Sequence, residues 1–325
     1  MNGSIFLISL DFELFWGVRD HRSLKSYGEN ILGVRKAIPA LLELFREYGI
    51  HATWATVGFV FFNRREDLLA ACPERLPMYD NPQLSPYSAL RHIGADEAAD
   101  PFHFGRSLVD LIRNYPGQEI GTHTFSHYYC LEPGQNLDSF RQDLLSAVKT
   151  GQAQGLTLKS IVFPRNQMNA GYLDACRQLG IRCYRGNERG WFYARGSTQN
   201  ETIFARAARL LDSYVNLSGH NTYDISKTRH DGVVNLPSSR FLRPYNAKLA
   251  PLDLVRRQRI IRSLRHAAER GEVYHLWWHP HNFGCNLEAN LTFLRGVLET
   301  FRELRSERGM ESLTMSEASM RARID

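Results

Sequence analysis

Two histidines four residues apart offer the clearest chemistry in this sequence. They lie in Gly121-Thr-His-Thr-Phe-Ser-His127, directly after the apolar end of a predicted strand. If the chain turns helical there, the imidazoles of His123 and His127 share one face and can bind the same metal ion. The spacing alone is weak evidence, because 12 histidines in 325 residues give about half such a match by chance.

A second pair with the same spacing, His275 and His279, leads to a different expectation. It lies in Val273-Tyr-His-Leu-Trp-Trp-His279, which has the composition of a strand. Four residues of strand separate the two side chains by about 13 Å, which is too far for both to bind one ion. His275, Trp277 and His279 still point to the same side, and His279 at the strand end would face the mouth of a site.

A catalytic metal usually has three protein ligands and an open position for water, so the first histidine pair needs a carboxylate partner. Asp11 and Glu13 lie two residues apart near the end of the first predicted strand and therefore point the same way. Because buried carboxylates are costly without a cation, both should meet one. One of them can bind metal while the other handles protons.

Short apolar runs alternate with helix-like stretches along the whole chain. The expected strands are 5–11, 52–57, 119–122, 160–163, 182–184, 233–236 and 273–278. The expected helices are 31–48, 106–114, 137–154, 170–179, 205–214, 252–269 and 287–305, followed by a strand and a helix within 313–322. This alternation predicts an α/β protein with a mainly parallel sheet or barrel, whose catalytic residues gather at the carboxyl ends of the strands.

No linker divides the chain, so residues 1–325 are expected to form one domain, with insertions at about 76–104 and 189–231 that shape the rim of the site. The net charge of +6 comes with arginines scattered in helical spacing among acids, which argues against a nucleic-acid partner. No apolar stretch approaches the roughly 20 residues that span a bilayer. Five widely spaced cysteines without a C-x-x-C pair and the lack of a secretory signal indicate a cytoplasmic protein.

The order of these motifs resembles the polysaccharide deacetylase family, also known as the NodB-homology or carbohydrate esterase family 4 proteins. The matching segments are Ser9–Glu13, Ala52–Gly58, Glu119–His127, Phe163–Asn166 and the strand that ends at His279. The resemblance extends from about Ile5 to Trp278. It implies a distorted (β/α) barrel of the NodB type and a divalent metal, usually zinc.

The resemblance also implies roles for individual residues. Glu13, His123 and His127 would hold Zn²⁺, which activates a water molecule, and Asp11 would take the proton of that water. Phe163-Pro-Arg-Asn166 is similar to the family's arginine-bearing strand end, although that motif usually has R-x-P order. On this match, Arg165 would hold Asp11 ionised and oriented through a charge-assisted hydrogen bond.

The strand ending at His279 resembles the late motif whose histidine protonates the departing amine. His275 and His281 compete with His279 for this assignment. The family's Asp-Trp motif, which tunes the acid histidine, has no clear counterpart in the sequence, and only Glu188 and Trp191 lie nearby.

The sequence therefore predicts a hydrolase that removes an N-acyl group, most simply N-acetyl, from an amino sugar, a nucleotide sugar or a lipid-linked sugar. A bacterial surface polysaccharide such as the lipopolysaccharide O-antigen would be the product, and a lipid-linked substrate would bring peripheral membrane contact. Ser239 and Arg240 lie in a predicted loop suited to a phosphate or acidic sugar, and Trp277 could stack on a sugar ring. Two alternatives stay open: a hydrolase of small or cyclic amides, and a non-catalytic carbohydrate-binding protein on the same fold.

Overall fold

A nine-stranded sheet forms the centre of the described structure. The computed structural model describes residues 3–193, 202–228 and 232–322. Its strands are β1 (Ile5–Phe12), β2 (Ala52–Thr56), β3 (Gln118–Thr122), β4 (Ser160–Ile161), β5 (Cys183–Tyr184), β6 (Val234–Asn235), β7 (Arg240–Phe241), β8 (Val273–Trp278) and β9 (Glu311–Leu313). The sheet order is β6-β5-β4-β3-β2-β1-β8-β7, with β9 also paired to β1, and each of these pairings is parallel.

Helices surround the sheet within the same described ranges. They are α1 (Leu24–Tyr48), α2 (Arg65–Ala70), α3 (Arg106–Arg113), α4 (Leu137–Ala153), α5 (Leu173–Gln178), α6 (Ile203–Asp212), α7 (Asp253–Arg270), α8 (Leu287–Arg308) and α9 (Met315–Arg321). The largest boundary difference from the sequence expectation is in α1, which begins at Leu24 and not at Ile31. Ser23 explains this early start, because its side chain accepts a hydrogen bond from the backbone N–H of Ser26 in a capping box.

The chain between β6 and β7 joins the two edges of the sheet. The backbone N–H of Leu236 donates to the carbonyl of Tyr184 at 2.9 Å, next to β5, while the N–H of Ser239 donates to the carbonyl of His275 at 2.8 Å, in β8. The short segment between β6 and β7 thus connects the two edge strands of the sheet, and the sheet curls into a distorted barrel. The predicted α/β fold is confirmed.

The two faces of β1 divide the core into an outer and an inner part. Phe6, Ile8, Leu10 and Phe12 pack outwards with the helices in the larger apolar cluster. Because side chains alternate along a strand, the inner face carries Ile5, Leu7, Ser9 and Asp11. Ile5 and Leu7 belong to a smaller cluster that includes Met315 and Ala318 of α9. The barrel is thus apolar at its base and becomes polar towards the carboxyl ends of the strands.

The two predicted insertions contribute no strand to the main sheet in the residues that the structure describes. The segment 76–104 contains two short 3-10 helices, Pro82–Leu84 and Tyr87–Arg91. The described part of 189–231 carries α6, whose start is capped by Thr202. None of the described helices is both long enough and apolar enough to cross a membrane. The five cysteines are free thiols.

Candidate active site

Five polar residues meet where the strands of the barrel end. Asp11 lies near the end of β1 and Glu13 follows it, while His123, Arg185 and His279 directly follow β3, β5 and β8. Because the strands are parallel, their carboxyl ends open at the same mouth of the barrel. Residues that are distant in sequence therefore lie close together at this mouth.

Glu13, His123 and His127 form a compact group at this mouth. One carboxylate oxygen of Glu13, Oε2, lies 3.4 Å from Nε2 of His123 and 3.1 Å from Nε2 of His127. The three side chains are buried, and their ligand atoms lie within 4.8 Å of one another. Nδ1 of His123 lies 2.8 Å from the carbonyl of Val162. Since a carbonyl only accepts, Nδ1 carries a proton, and in the neutral ring this leaves the lone pair of Nε2 facing Glu13, which is the tautomer that metal binding requires.

The segment between the two histidines is a turn and not the helix considered from the sequence. Thr124 and His127 have positive φ angles of 64° and 59°. The Asp143 carboxylate, from α4, accepts hydrogen bonds from the backbone N–H of Phe125 at 2.8 Å and of Ser126 at 3.1 Å. These hydrogen bonds stabilise the non-helical turn. The rings of His123 and His127 nevertheless lie close together, with centroids 5.0 Å apart.

The charges around Glu13 fit a divalent metal ion. Among the described residues, its ion-pair partners within 4 Å are all histidines. Burial by itself raises the pKa of Glu13, but His279, His123 and His127 hold it well below its usual value. Burial lowers the pKa of His127 to about 4, against the pull of Glu13. A buried carboxylate thus faces an imidazole that is neutral at pH 7, and a cation between them would stabilise it.

A second group of possible ligands shares Glu13. Its other oxygen, Oε1, lies 3.6 Å from Nε2 of His279 and 3.9 Å from Nδ1 of His281. These distances exceed those to His123 and His127. The first group is therefore the better candidate for a metal site.

Arg185 holds Asp11, which corrects the expectation that Arg165 does so. Nη1 and Nη2 of Arg185 each donate to a different oxygen of Asp11, both at 2.7 Å. Arg185 also donates to Oγ of Ser9 at 3.0 Å and to Oδ1 of Asn166 at 2.9 Å. Burial opposes ionisation of Asp11, but Arg185, together with His123 and His279, lowers its pKa below the ordinary value.

Arg165 lies beside the site with other partners. It hydrogen-bonds to Asp20, lies 3.7 Å from Glu132 and stacks over the ring of Tyr129 at 4.1 Å from the centroid. Tyr129 in turn packs edge-on against the ring of His127 at 5.1 Å. Arg165 has a positive φ of 56° in the turn after β4. Arg165 thus supports the His127 side of the site.

The three histidines considered as the proton donor occupy different environments. His275 is fully buried, with Nε2 2.8 Å from Oγ of Ser9 and Nδ1 3.2 Å from the carbonyl of Leu236. Burial, followed by the charge of Arg185, lowers the pKa of His275 to about 3. Burial and the neighbouring His279 likewise lower the pKa of His281 to about 3. Both are neutral at pH 7.

His279 is the candidate that faces both the carboxylates and the solvent. Its side chain is 23% exposed, and its Nε2 lies 3.8 Å from Oδ2 of Asp11. On the other side of the ring, Nδ1 lies 3.3 Å from Oδ1 of Asn282. When doubly protonated, this imidazole can direct one N–H to Asn282 and the other into the mouth.

Of the three expected substrate contacts, Ser239 is corrected, while Arg240 has a partner within the protein. Ser239 is fully buried, and its hydroxyl donates to the carbonyl of Asn221 at 2.9 Å and accepts from the backbone N–H of His275 at 2.9 Å. Nη1 of Arg240 donates to Oδ2 of Asp212 at 2.6 Å in a buried ion pair. Asp212 thus compensates the charge of Arg240. Arg240 also lines the groove described next, and its contact with a substrate stays a prediction. Ser239 and Arg240 were expected in a loop, but they belong to the strand segment that closes the barrel. This position explains why Ser239 is buried and why Arg240 has a partner within the protein.

Trp277, the third expected contact, lines a groove of about 560 Å³ that includes His279. The guanidinium of Arg185 lies over its ring, 4.1 Å from the centroid. Its Nε1–H donates to Oε1 of Glu188 at 2.9 Å. Trp277 therefore orders Arg185 and Glu188 beside the groove, and its contact with a substrate stays a prediction.

Sequence reasoning missed Arg185 and Asp143. The rule that strand ends carry the chemistry selects Arg185 once Cys183–Tyr184 is taken as a strand. Asp143 lies in the middle of α4, and nothing in its local sequence indicates that its carboxylate reaches the turn between the histidines.

The sequence matches no protein-family model and no curated protein, but several solved structures have a similar fold. A Mycobacterium smegmatis protein assigned as a polysaccharide deacetylase matches with a TM-score of 0.59 and 14% identity, over 99% of this chain and 91% of its own. The allantoinase PuuE matches with a TM-score of 0.53 and 10% identity, over 97% of this chain and 88% of its own. For the 4-alpha-glucanotransferase of Thermococcus litoralis the TM-score is 0.51 and the identity 12%, over 98% of this chain and 40% of its own. The chain thus has the fold of the polysaccharide deacetylases, and that fold also occurs in proteins with other activities.

Proposed function

We propose that this chain, built on the polysaccharide deacetylase fold, is a metal-dependent hydrolase that removes an N-acyl group from an amino sugar or a sugar precursor of a bacterial surface polysaccharide. N-acetyl is the simplest acyl group, and the cytoplasm is the proposed compartment. One observation carries the proposal: the possible metal ligands Glu13, His123 and His127 share a mouth with Asp11, a carboxylate fixed by an arginine. Amide hydrolysis needs a metal ion that activates water and a carboxylate that accepts the proton of that water, and these residues can provide both.

Glu13, His123 and His127 would hold the metal, and Zn²⁺ suits a set of one carboxylate and two imidazoles. When bound, the ion polarises the amide carbonyl and lowers the pKa of water towards about 7. The hydrogen bond from Nδ1 of His123 to the carbonyl of Val162 favours the neutral tautomer whose lone pair is on Nε2, the ligand nitrogen. Asp143 keeps the turn that separates the two histidines in place.

Asp11 would accept the proton of the attacking water. Arg185 occupies one lone pair on each of its oxygens, and each oxygen retains another lone pair that can accept a proton. The ion pair keeps Asp11 ionised and prevents its rotation. Its role as base therefore depends on Arg185.

His279 would donate a proton to the departing nitrogen. Its Nε2 lies 3.8 Å from Asp11 and 3.6 Å from Glu13, so the ring stands beside both carboxylates of the site. His279 lines the groove, where the leaving amine of a bound sugar would lie. Neither His275 nor His281 combines this exposure with this direction.

The direct test is the release of acetate or formate from a panel of N-acylated amino sugars, nucleotide sugars and lipid-linked sugars, with and without a chelator. We expect release that stops on chelation and returns with Zn²⁺, at about one ion per chain. Asp11→Asn should abolish release while metal stays bound, whereas Glu13→Gln should weaken metal binding itself. Full activity in a metal-free protein would contradict the proposal.

The same panel separates the two alternative functions. A hydrolase of small or cyclic amides would act on compounds such as allantoin and ignore the sugars. A carbohydrate-binding protein without activity would bind the sugars and release nothing even when loaded with metal.

A further inference from the structure

The groove that contains His279 has an unusual distribution of charge. Among the residues that the structure describes, its lining includes one acidic residue and four arginines, together with apolar side chains of α6. The charged members are Glu188, Arg206, Arg209, Arg240 and Arg243, and the apolar members from α6 are Ile203, Ala207 and Leu210. The acid is engaged, because Oε1 of Glu188 accepts the hydrogen bond of Trp277. Arginines therefore outnumber acids in the described lining of the groove.

Arg243 stands out among these cations. It is half-buried, and no carboxylate of the described residues lies within 4 Å of its guanidinium, in contrast to Arg240, which is paired with Asp212. Burial lowers the pKa of Arg243, and the neighbouring Arg209 and Arg256 lower it further. Such a cation is costly unless an anion compensates it. An anionic ligand in the groove would remove this cost.

We infer that the groove binds the phosphate or diphosphate of a glycosyl carrier, so that the substrate is a phosphate-linked sugar and not a neutral glycan. This inference rests on the proposed function, because the same groove reaches His279. Guanidinium groups match the tetrahedral oxygens of phosphate, and a diphosphate can engage Arg243 together with the exposed Arg206. A volume of about 560 Å³ lies within the range of sites for ligands of this size. The carrier is either a nucleotide or a polyprenyl lipid, since both present the same diphosphate.

Binding is tested first, without turnover, by titrating the full chain with inorganic pyrophosphate in a calorimeter. We expect saturable binding that Arg243→Met weakens about ten- to hundredfold, as for loss of a charge-assisted hydrogen bond. Arg262→Met is the matched control, because Arg262 is exposed on α7 and outside the groove, and should change affinity by less than about twofold. Absence of saturable binding, or an equal loss in both variants, would overturn the inference.

Turnover then identifies the carrier. We compare kcat/KM for acetate release from N-acetylglucosamine, its 1-phosphate, its uridine diphosphate ester and its polyprenyl diphosphate ester. Phosphorylated substrates should be preferred about tenfold or more, and Arg243→Met should remove most of that preference. The better of the two diphosphate esters indicates whether the carrier is a nucleotide or a lipid. Equal values for the neutral and phosphorylated sugars would exclude a phosphate site.

The two measurements also separate the inference from the function on which it rests. Arginine-dependent pyrophosphate binding without acyl release from any substrate would reject the proposed hydrolase and leave an anion-binding groove. Acyl release without pyrophosphate binding or preference would retain the hydrolase and reject the phosphate site.

Discussion

Arg185 and Asp11 form a buried bidentate ion pair, with each carboxylate oxygen 2.7 Å from a different guanidinium nitrogen. Both side chains are almost fully removed from solvent. Parallel N–H···O bonds of this kind fix orientation as well as charge. The pair connects β1 to the residue that follows β5, across the mouth of the barrel.

Replacing Arg185 should change the pH dependence of the proposed hydrolysis. In Arg185→Met, burial acts on Asp11 without its counter-charge, so the pKa of Asp11 rises above its present lowered value. Because the base must be ionised, activity is lost as the pH falls through this pKa, and the acidic limb of the kcat/KM profile should move to higher pH. We expect kcat at pH 7 to fall about a hundredfold or more.

The control for this change is Arg165→Met. Arg165 pairs with Asp20 and Glu132 and does not contact Asp11, so its loss should lower stability without moving the acidic limb. A shift of that limb in Arg165→Met but not in Arg185→Met would restore the role first expected for Arg165.

Gly17→Ala should disturb the metal site without altering a ligand. A methyl group at Gly17 would lie 1.9 Å from Cδ of Glu13, so the carboxylate has to leave its present position beside the two histidines. We expect zinc affinity, measured by competition with a chromogenic chelator, to fall about ten- to hundredfold. Gly3→Ala is the matched control, since its nearest heavy atom would lie 3.5 Å away, and unchanged affinity in Gly17→Ala would show that Glu13 is not a ligand.

Asp143 should make the stability of the protein depend on pH. Burial raises its pKa to about 6 even though Ser126 and Phe125 donate hydrogen bonds to it. Because the folded-state pKa lies above the unfolded value, this carboxyl group stabilises the fold most at low pH, and the contribution is lost as the pH rises through about 6. Urea unfolding at pH 4.5 and 7.5 should therefore show a smaller difference in Asp143→Asn than in the wild type. An identical difference in the two proteins would mean that Asp143 titrates normally.

Arg240→Met should destabilise the protein, because it leaves Asp212 buried without its main cation. Breaking a buried pair costs about 3–5 kcal/mol. Arg321→Met removes an exposed pair with Glu311, which should cost about 1 kcal/mol or less. Denaturant unfolding monitored by circular dichroism compares the two. Similar losses of stability in both variants would contradict a structural role for Arg240 and would favour its assignment to substrate.

The spacing of apolar residues and the local composition were sufficient to predict most helices and strands of the fold. β8 has the same limits as expected, since its apolar and aromatic run is buried on both faces. The early start of α1 was not predictable from periodicity, because Leu24 and Lys25 are exposed and only the Ser23 cap marks this end. The turn at 123–127 could not be foreseen either, because it depends on Asp143 from another element.

The site was predictable as far as it follows strand ends. Asp11, Glu13, His123 and His279 come together because the sheet is parallel, which local pattern indicates. The choice between Arg165 and Arg185 depends on the direction of each side chain after its strand. That direction follows from backbone turns such as the positive φ of Arg165, which the residue type does not encode.

The central place of β1 has a consequence for how the protein forms. Ile5 pairs with Val273 of β8 and with Glu311 of β9, so β1 needs partners that lie far along the sequence and are synthesised much later than β1 itself. Pairings between such distant segments are slow to form, and domains emerge from the ribosome amino terminus first. Until β8 arrives, the apolar faces of β1 lack their final cover. We therefore expect refolding in the range of seconds or slower and a nascent chain that benefits from chaperones.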